Sequence, residues 1–206
     1  VLPAQLDERL RAPHGVRAAE REAERSRPAD AASRILGETP AMCAVREQVR
    51  NVARYRDLSV VIVGETGTEK ELVAESVHAL TQSDAPFVTV NSAAIPEQLM
   101  EGELFGHEAG AFSSTGGAQT GLMEMAGAGT LFFDELGDLP SLIQPKLLPV
   151  LETRTFRRVG GWRDVPFRAP VVSATSRGDN GSDGVLRSDL YLRLSGFTIL
   201  IPPLRD

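Results

Sequence analysis

Two spacings of apolar residues divide the chain from Ile35 onward. Short, nearly continuous apolar runs predict buried strands at Val60 to Val63, Phe87 to Asn91, Thr130 to Asp134, Pro170 to Thr175 and Phe197 to Ile201. Between them, apolar positions three and four apart predict helices. The first carries Met42, Val45, Val49 and Val52 and runs to about Arg54. The others span Lys70 to Leu80, Pro96 to Leu104, Leu139 to Leu151 and Leu186 to Leu194. Buried strands alternating with helices mean a parallel sheet covered on both faces, an α/β three-layer sandwich.

Residues 1–34 read differently. They are rich in Ala, Arg and Glu, with alternating charge from Arg17 to Arg25, and Pro3, Pro13 and Pro28 interrupt them. That composition suits a charged linker, helical or partly ordered, laced with i,i+4 pairs. A coiled-coil signalling helix is the alternative, but sustained apolar heptads are missing. The division is therefore a linker at 1–34 and a globular domain at 35–206. The chain opens on Val1 and stops abruptly after Ile201-Pro202-Pro203-Leu204, which reads as an excerpt of a longer protein.

Composition narrows the function classes. Apolar residues make up 42% and charged residues 24%, ordinary proportions for a globular protein. No apolar run is long enough to span a membrane. A formal net charge of −6 argues against a nucleic-acid-binding module, which carries a basic face. The single cysteine, Cys43, excludes an internal disulfide and fits a reducing cytoplasm, with an idle or buried thiol as the simplest reading. His14, His78 and His107 lie far apart without a cysteine partner, so no zinc-type cluster is expected.

Two motifs carry phosphate chemistry. The strand Val60 to Val63 runs into Gly64-Glu65-Thr66-Gly67-Thr68-Glu69-Lys70-Glu71, a P-loop in which Glu69 stands where G-x-x-x-x-G-K-[ST] has its second glycine. Such a loop works because backbone N–H groups and a helix N-terminus converge on phosphate, with lysine as a point charge. The competing reading is a chance glycine-rich turn. The second motif, Gly129 to Glu135, is a buried strand ending in paired carboxylates, the Walker B arrangement. Asp134 is the candidate Mg²⁺ ligand, and Glu135 the candidate that polarises the attacking water. Taken alone, two solvated carboxylates at a strand end would be the plainer explanation; beside a P-loop they are not.

A third stretch, Glu103-Leu104-Phe105-Gly106-His107-Glu108-Ala109-Gly110-Ala111-Phe112-Ser113-Ser114-Thr115, resembles the ESELFGHEKGAFTGA segment of bacterial sigma-54-dependent activators, the NtrC-type enhancer-binding proteins of the AAA+ class. The resemblance runs from Ile35 nearly to the end. It takes in Asn91 with its neighbours, Phe156 to Gly161, Arg187 to Leu194, and Ile201 to Arg205.

That resemblance implies a ring, usually a hexamer, with ATP and Mg²⁺ at each subunit interface. Lys70 and the rest of the loop (Gly64, Glu65, Thr66, Gly67, Thr68, Glu69, Glu71) would serve the phosphates. Asn91 is similar to the switch residue that restrains the catalytic glutamate, and Thr175 and Ser176 fall at the sensor I position. Arg187 and Arg193 match the arginines offered to a neighbour's ATP, where positive charge stabilises phosphoryl transfer. Gly110, Ala111, Phe112, Ser113, Ser114 and Thr115 match the mobile loop that grips sigma-54 within the RNA polymerase holoenzyme. Phe112 stands at its tip, or is tucked into its own subunit. The family acts in sensory regulation in the cytoplasm. It binds enhancer DNA through a C-terminal domain outside this chain and closes its site with a small helical lid, which the chain ends before.

The departures from the family cluster at function. A carboxylate at Glu69 about 6 Å from one phosphate charge costs roughly 2–3 kcal/mol at an effective dielectric of 20, about a hundredfold in affinity. Glycine also suits that position for its backbone angles, and an ion pair from Glu69 to Lys70 or an arginine would mute the repulsion. Glu71 is the family's usual residue. Ser176 replaces an asparagine, Ser113-Ser114-Thr115 replaces Thr-Gly-Ala, and Arg177 to Gly184 is glycine-rich where the family has a helical stretch. Pro145 and Pro149 fall in the helix after Walker B, where an interior proline costs about 3 kcal/mol and kinks the helix. Two readings follow: an ATP-dependent activator of sigma-54 transcription, or a degenerate AAA+ scaffold with weak or no hydrolysis. A small-molecule phosphotransferase is disfavoured, because no acceptor-pocket segment is apparent.

Overall fold

The structure, a computed structural model, describes residues 31–82, 84–111, 117–176 and 186–203. A 3₁₀ turn at Ala31–Arg34 leads into α1 (Pro40–Val52), β1 (Val60–Val63), α2 (Lys70–Gln82), β2 (Phe87–Asn91) and α3 (Glu97–Phe105). Next come α4 (Leu122–Met125), β3 (Thr130–Asp134), a 3₁₀ turn at Leu136–Asp138 and α5 (Gln144–Thr153). The described chain closes with β4 (Thr155–Arg157), β5 (Asp164–Pro166), β6 (Val171–Thr175), α6 (Ser188–Leu194) and β7 (Phe197–Leu200).

Five strands form one sheet in the order β2-β3-β6-β1-β7, every pairing parallel. Their side chains alternate between two cores, as period-two geometry requires. Val61, Val88, Val90, Leu131, Phe133 and Val171 face a core shared with Met100, Leu104, Leu147 and Leu190 of the helices on that side. Val60, Ile62, Phe87, Phe132, Val172 and Ile199 face the opposite core, with Val45 and Val49 of α1 and Val73 and Val77 of α2. Burial on both faces is why the strands read as unbroken apolar runs.

Local chemistry sets the element ends. The Thr39 hydroxyl accepts the Met42 N–H at 3.3 Å and Pro40 opens the first turn, so α1 starts there. Ala31 and Ala32 are buried and the Ser76 hydroxyl donates to the Ala31 carbonyl at 3.1 Å, so packing takes in residues that composition assigns to the linker. Pro145 corrects the expectation of two helix-breaking prolines. It lies in the first turn of α5, where a missing N–H leaves no bond unmade, and only Pro149 is interior. The β4–β5 antiparallel hairpin, paired Phe156 to Val165, and the single-turn α4 escaped the hydropathy pattern. Strands of three residues with one buried side chain carry no readable period.

Candidate active site

Parallel strands deliver their carboxyl ends to one edge, where ligand crevices form. Here β1 delivers Gly64, β3 delivers Asp134 and Glu135, and β6 delivers Thr175 and Ser176. The Gly64 N–H bonds the Thr175 carbonyl at 3.2 Å, and the Ile201 N–H bonds the Val63 carbonyl at 2.8 Å, which ties the loop's root to both neighbouring strands. A side chain at Gly64 would stand 2.7 Å from the Thr68 hydroxyl and 3.1 Å from Ile201 Cβ, so only glycine fits. That hydroxyl in turn donates to the Glu65 carbonyl at 2.7 Å.

The loop keeps the curvature of a phosphate cradle despite its substitution. Gly67 has φ +88°, and Glu69 has φ +55°, a left-handed backbone that glycine adopts without strain. The Glu69 carbonyl accepts the N–H groups of Leu72 and Val73, so α2 begins immediately after it and its N-terminal N–H groups face the loop. The Glu69 side chain is exposed. The expected ion pair from Lys70 goes elsewhere.

Lys70 is only 6% exposed. Its ammonium donates to the carbonyls of Gly64 (3.2 Å) and Glu65 (3.3 Å), and its third neighbour is Glu135 Oε1 at 3.3 Å. Glu135 Oε2 accepts the Ser176 N–H at 3.2 Å and the Ser176 hydroxyl at 3.0 Å. Glu135 itself is in left-handed backbone, φ 51° and ψ 64°. Asn91 pairs with Asp134 across β2 and β3, but its Oδ1 accepts the N–H groups of Ala93 and Ala94, both at 3.1 Å. Ser176 and Lys70 both contact Glu135.

The rest of the site is acidic. Burial, then the Glu135 charge, pushes the Asp134 carboxyl above its usual range, against the opposing pull of Lys70. Burial raises Glu71 as well, helped by Glu75 and Asp134. Crowded carboxylates of this kind fit a divalent cation. Among the described residues no group of three or more His, Cys, Asp or Glu side chains could hold a metal alone. A cation carried in with phosphates on one or two carboxylates needs no such cage.

Other predicted residues stand apart from this centre. Arg187 and Arg193 sit at the start and end of α6, both exposed. Arg187 grips Asp189 through two nitrogens (3.1 and 2.7 Å), and its backbone N–H donates to Gln144. Arg193 donates to the Leu151 carbonyl at 3.3 Å. Of the loop predicted to grip sigma-54, Gly110 (φ +81°) and Ala111 are described, while Phe112, Ser113, Ser114 and Thr115 lie outside the described residues. So do Arg177 to Gly184.

The base of that loop is built from residues the sequence left without a role. His107 bridges both Gln119 and Val159, and the Glu108 N–H bonds the Val159 carbonyl at 3.0 Å. Arg158 forks onto Glu124 (2.8–3.1 Å) and reaches Glu108 at 3.5 Å. A Cβ at Gly160 would meet that of Ala111 at 2.9 Å, so the turn after β4 touches the loop's root. Trp162 in that turn is 85% exposed. The Phe156 to Gly161 motif was the available signal, since a motif on a short hairpin marks a placed turn.

Comparison with known proteins agrees with this geometry. The family model described as "Sigma-54 interaction domain" matches residues 35–200. Similar relatives include the DNA-binding transcriptional activator HyfR of Escherichia coli K12, 46% identical over 175 residues, covering 84% of this chain and 26% of the relative. The transcriptional regulator VasH of Vibrio cholerae is 47% identical over 189 residues, covering 90% and 36% respectively. Among solved structures, NtrX from Brucella abortus superposes with a TM-score of 0.75 at 34% identity, covering 91% of this chain and 41% of that one. NtrX in complex with ATP gives 0.72 at 36% identity, covering 82% and 38%. The chain thus spans about a quarter to two-fifths of the proteins it matches.

Proposed function

Because this chain belongs to the sigma-54 interaction domain family, we propose that it is the ATP-driven module of a sigma-54-dependent transcription activator. One observation carries the reading: a buried lysine on a P-loop sits 3.3 Å from the carboxylate just past the end of the Walker B strand, two places away in the sheet. Lys70 and the α2 N-terminus would hold the phosphates of ATP, and Asp134 the accompanying Mg²⁺. When bound, Mg²⁺ supplies the charge that offsets phosphate beside this many carboxylates. Glu135 orients water, with Thr175 and Ser176 beside it. Arg187 and Arg193, exposed on one short helix, reach the site of a neighbouring copy in a homo-oligomeric ring, a hexamer by analogy.

The partner is sigma-54 in the RNA polymerase holoenzyme, met by the loop that leaves Gly110 and Ala111. DNA is bound through another domain of the whole cytoplasmic protein. No helix among the described residues is long and apolar enough to cross a membrane. The test is retention of purified sigma-54 by the full chain with ATP, with a non-hydrolysable analogue and with neither. Nucleotide-dependent retention is expected; equal retention in all three refutes the coupling.

Glu69 favours a second reading, a scaffold that hydrolyses little. Its left-handed backbone suits the turn of the loop, while its exposed side chain adds a negative charge to it. Turnover far below that of a Glu69→Gly variant, with sigma-54 retention unchanged, would select it.

A further inference from the structure

We propose that Ser176 is a positioning residue that, together with Lys70, clasps Glu135, and that a phosphate arriving at Lys70 releases the carboxylate. The inference rests on the reading that this site takes ATP. Both oxygens of Glu135 are engaged: Oε2 by the N–H and hydroxyl of Ser176, at 3.2 and 3.0 Å, and Oε1 by Lys70 at 3.3 Å. An ammonium has three N–H donors. Here it has three acceptors within 3.3 Å, namely Gly64 O, Glu65 O and Glu135 Oε1.

A phosphate oxygen at Lys70 has to displace one of them. The two carbonyls belong to a loop whose root is pinned to β6 and whose Glu65 carbonyl also accepts from Thr68. They cannot turn away without unmaking the cradle. Glu135 is a side chain, so it is the group that yields. A residue that seats Glu135 against Lys70 therefore opposes nucleotide binding. The serine puts two donors on one oxygen, and each strengthens that opposition.

The experiment is a double-mutant cycle in the full chain: parent, Ser176→Ala, Glu135→Ala and the double variant. Affinity for a fluorescent ATP analogue is read with Mg²⁺, and thermal unfolding is read without nucleotide. Loss of the serine hydroxyl should tighten nucleotide binding by about three- to tenfold, the factor expected for one hydrogen bond to a charged group with the N–H retained. Ser176→Ala should add nothing once Glu135 is alanine, in either measurement. Ser176→Thr keeps the hydroxyl and should return affinity toward the parent. Unchanged or weaker binding in Ser176→Ala overturns the clasp, as does an equal effect in the Glu135→Ala background. Failure of every protein to bind nucleotide would overturn the ATP reading itself, and the clasp with it.

Discussion

Replacing Glu69 separates a backbone effect from a charge effect, because two variants remove different parts of the residue. Glu69→Gln keeps a side chain on left-handed backbone (φ +55°) but discards the charge, whereas Glu69→Gly discards both. A non-glycine residue in that region costs about 1–2 kcal/mol, and the glycine's extra freedom in the unfolded chain returns about 0.5–1 of it. Net stabilisation near 1 kcal/mol should raise the melting temperature of Glu69→Gly by about 2–4 °C for a domain of this size. Glu69→Gln should leave it unmoved.

The charge term is bounded by solvent. At about 6 Å from one phosphate charge the repulsion runs from about 0.7 kcal/mol in water to about 2.8 at an effective dielectric of 20. The exposure of Glu69 places it toward the lower bound. A fluorescent ATP analogue should therefore bind Glu69→Gln about three- to tenfold more tightly, with the gain shrinking as salt rises. An equal rise in melting temperature for both variants would refute the backbone argument. Unchanged affinity in Glu69→Gln at low salt would refute the charge argument.

Three further outcomes are expected. Asp134 has its folded pKa raised, so its favourable contribution is present at acid pH and is lost as pH rises through that pKa. Asp134→Asn should then melt higher than the parent at neutral pH, with a gain that fades on acidification; a constant gain across a pH series of melting curves would be wrong. Gly106→Ala puts a Cβ 2.5 Å from the Gln119 carbonyl oxygen and 2.6 Å from the Gly121 nitrogen on φ +73° backbone. Neither atom can swing aside, so a loss of about 2–4 kcal/mol is expected in denaturant titration. Trp162, the single tryptophan, is exposed in the turn whose Gly160 meets Ala111. Its emission should shift to shorter wavelength on adding sigma-54, while Trp162→Ala should melt within about 1 °C of the parent.

All five strands of the main sheet were legible because burial on both faces leaves a continuous apolar signature. Their ends were legible too, since Gly64, Asp134 and Thr175 break that signature where the site begins. Helix starts were less so: α5 begins at Gln144 rather than Leu139, with a 3₁₀ turn at Leu136–Asp138 ahead of it. The hairpin was invisible because its packing is tertiary, with Arg158 reaching Glu124 across 34 positions. Within the site, Lys70, Asp134 and Glu135 announced themselves by spacing. The partner of Glu135 did not, since its contact with Ser176 depends on the sheet order that sets the ends of β3 and β6 side by side. A substitution that looked like a loss at Ser176 supplies a hydroxyl donor beside the backbone N–H.

The central claim is that the cradle around Lys70 takes ATP. Its most direct test is the affinity of the full chain for a fluorescent ATP analogue in the presence of Mg²⁺, compared with Lys70→Ala. Removing one charge-assisted phosphate contact should weaken binding by about tenfold or more. Saturable, Mg²⁺-dependent binding by the parent with that loss in the variant is the predicted result. Equal binding by both proteins, or none by the parent at millimolar nucleotide, would contradict it.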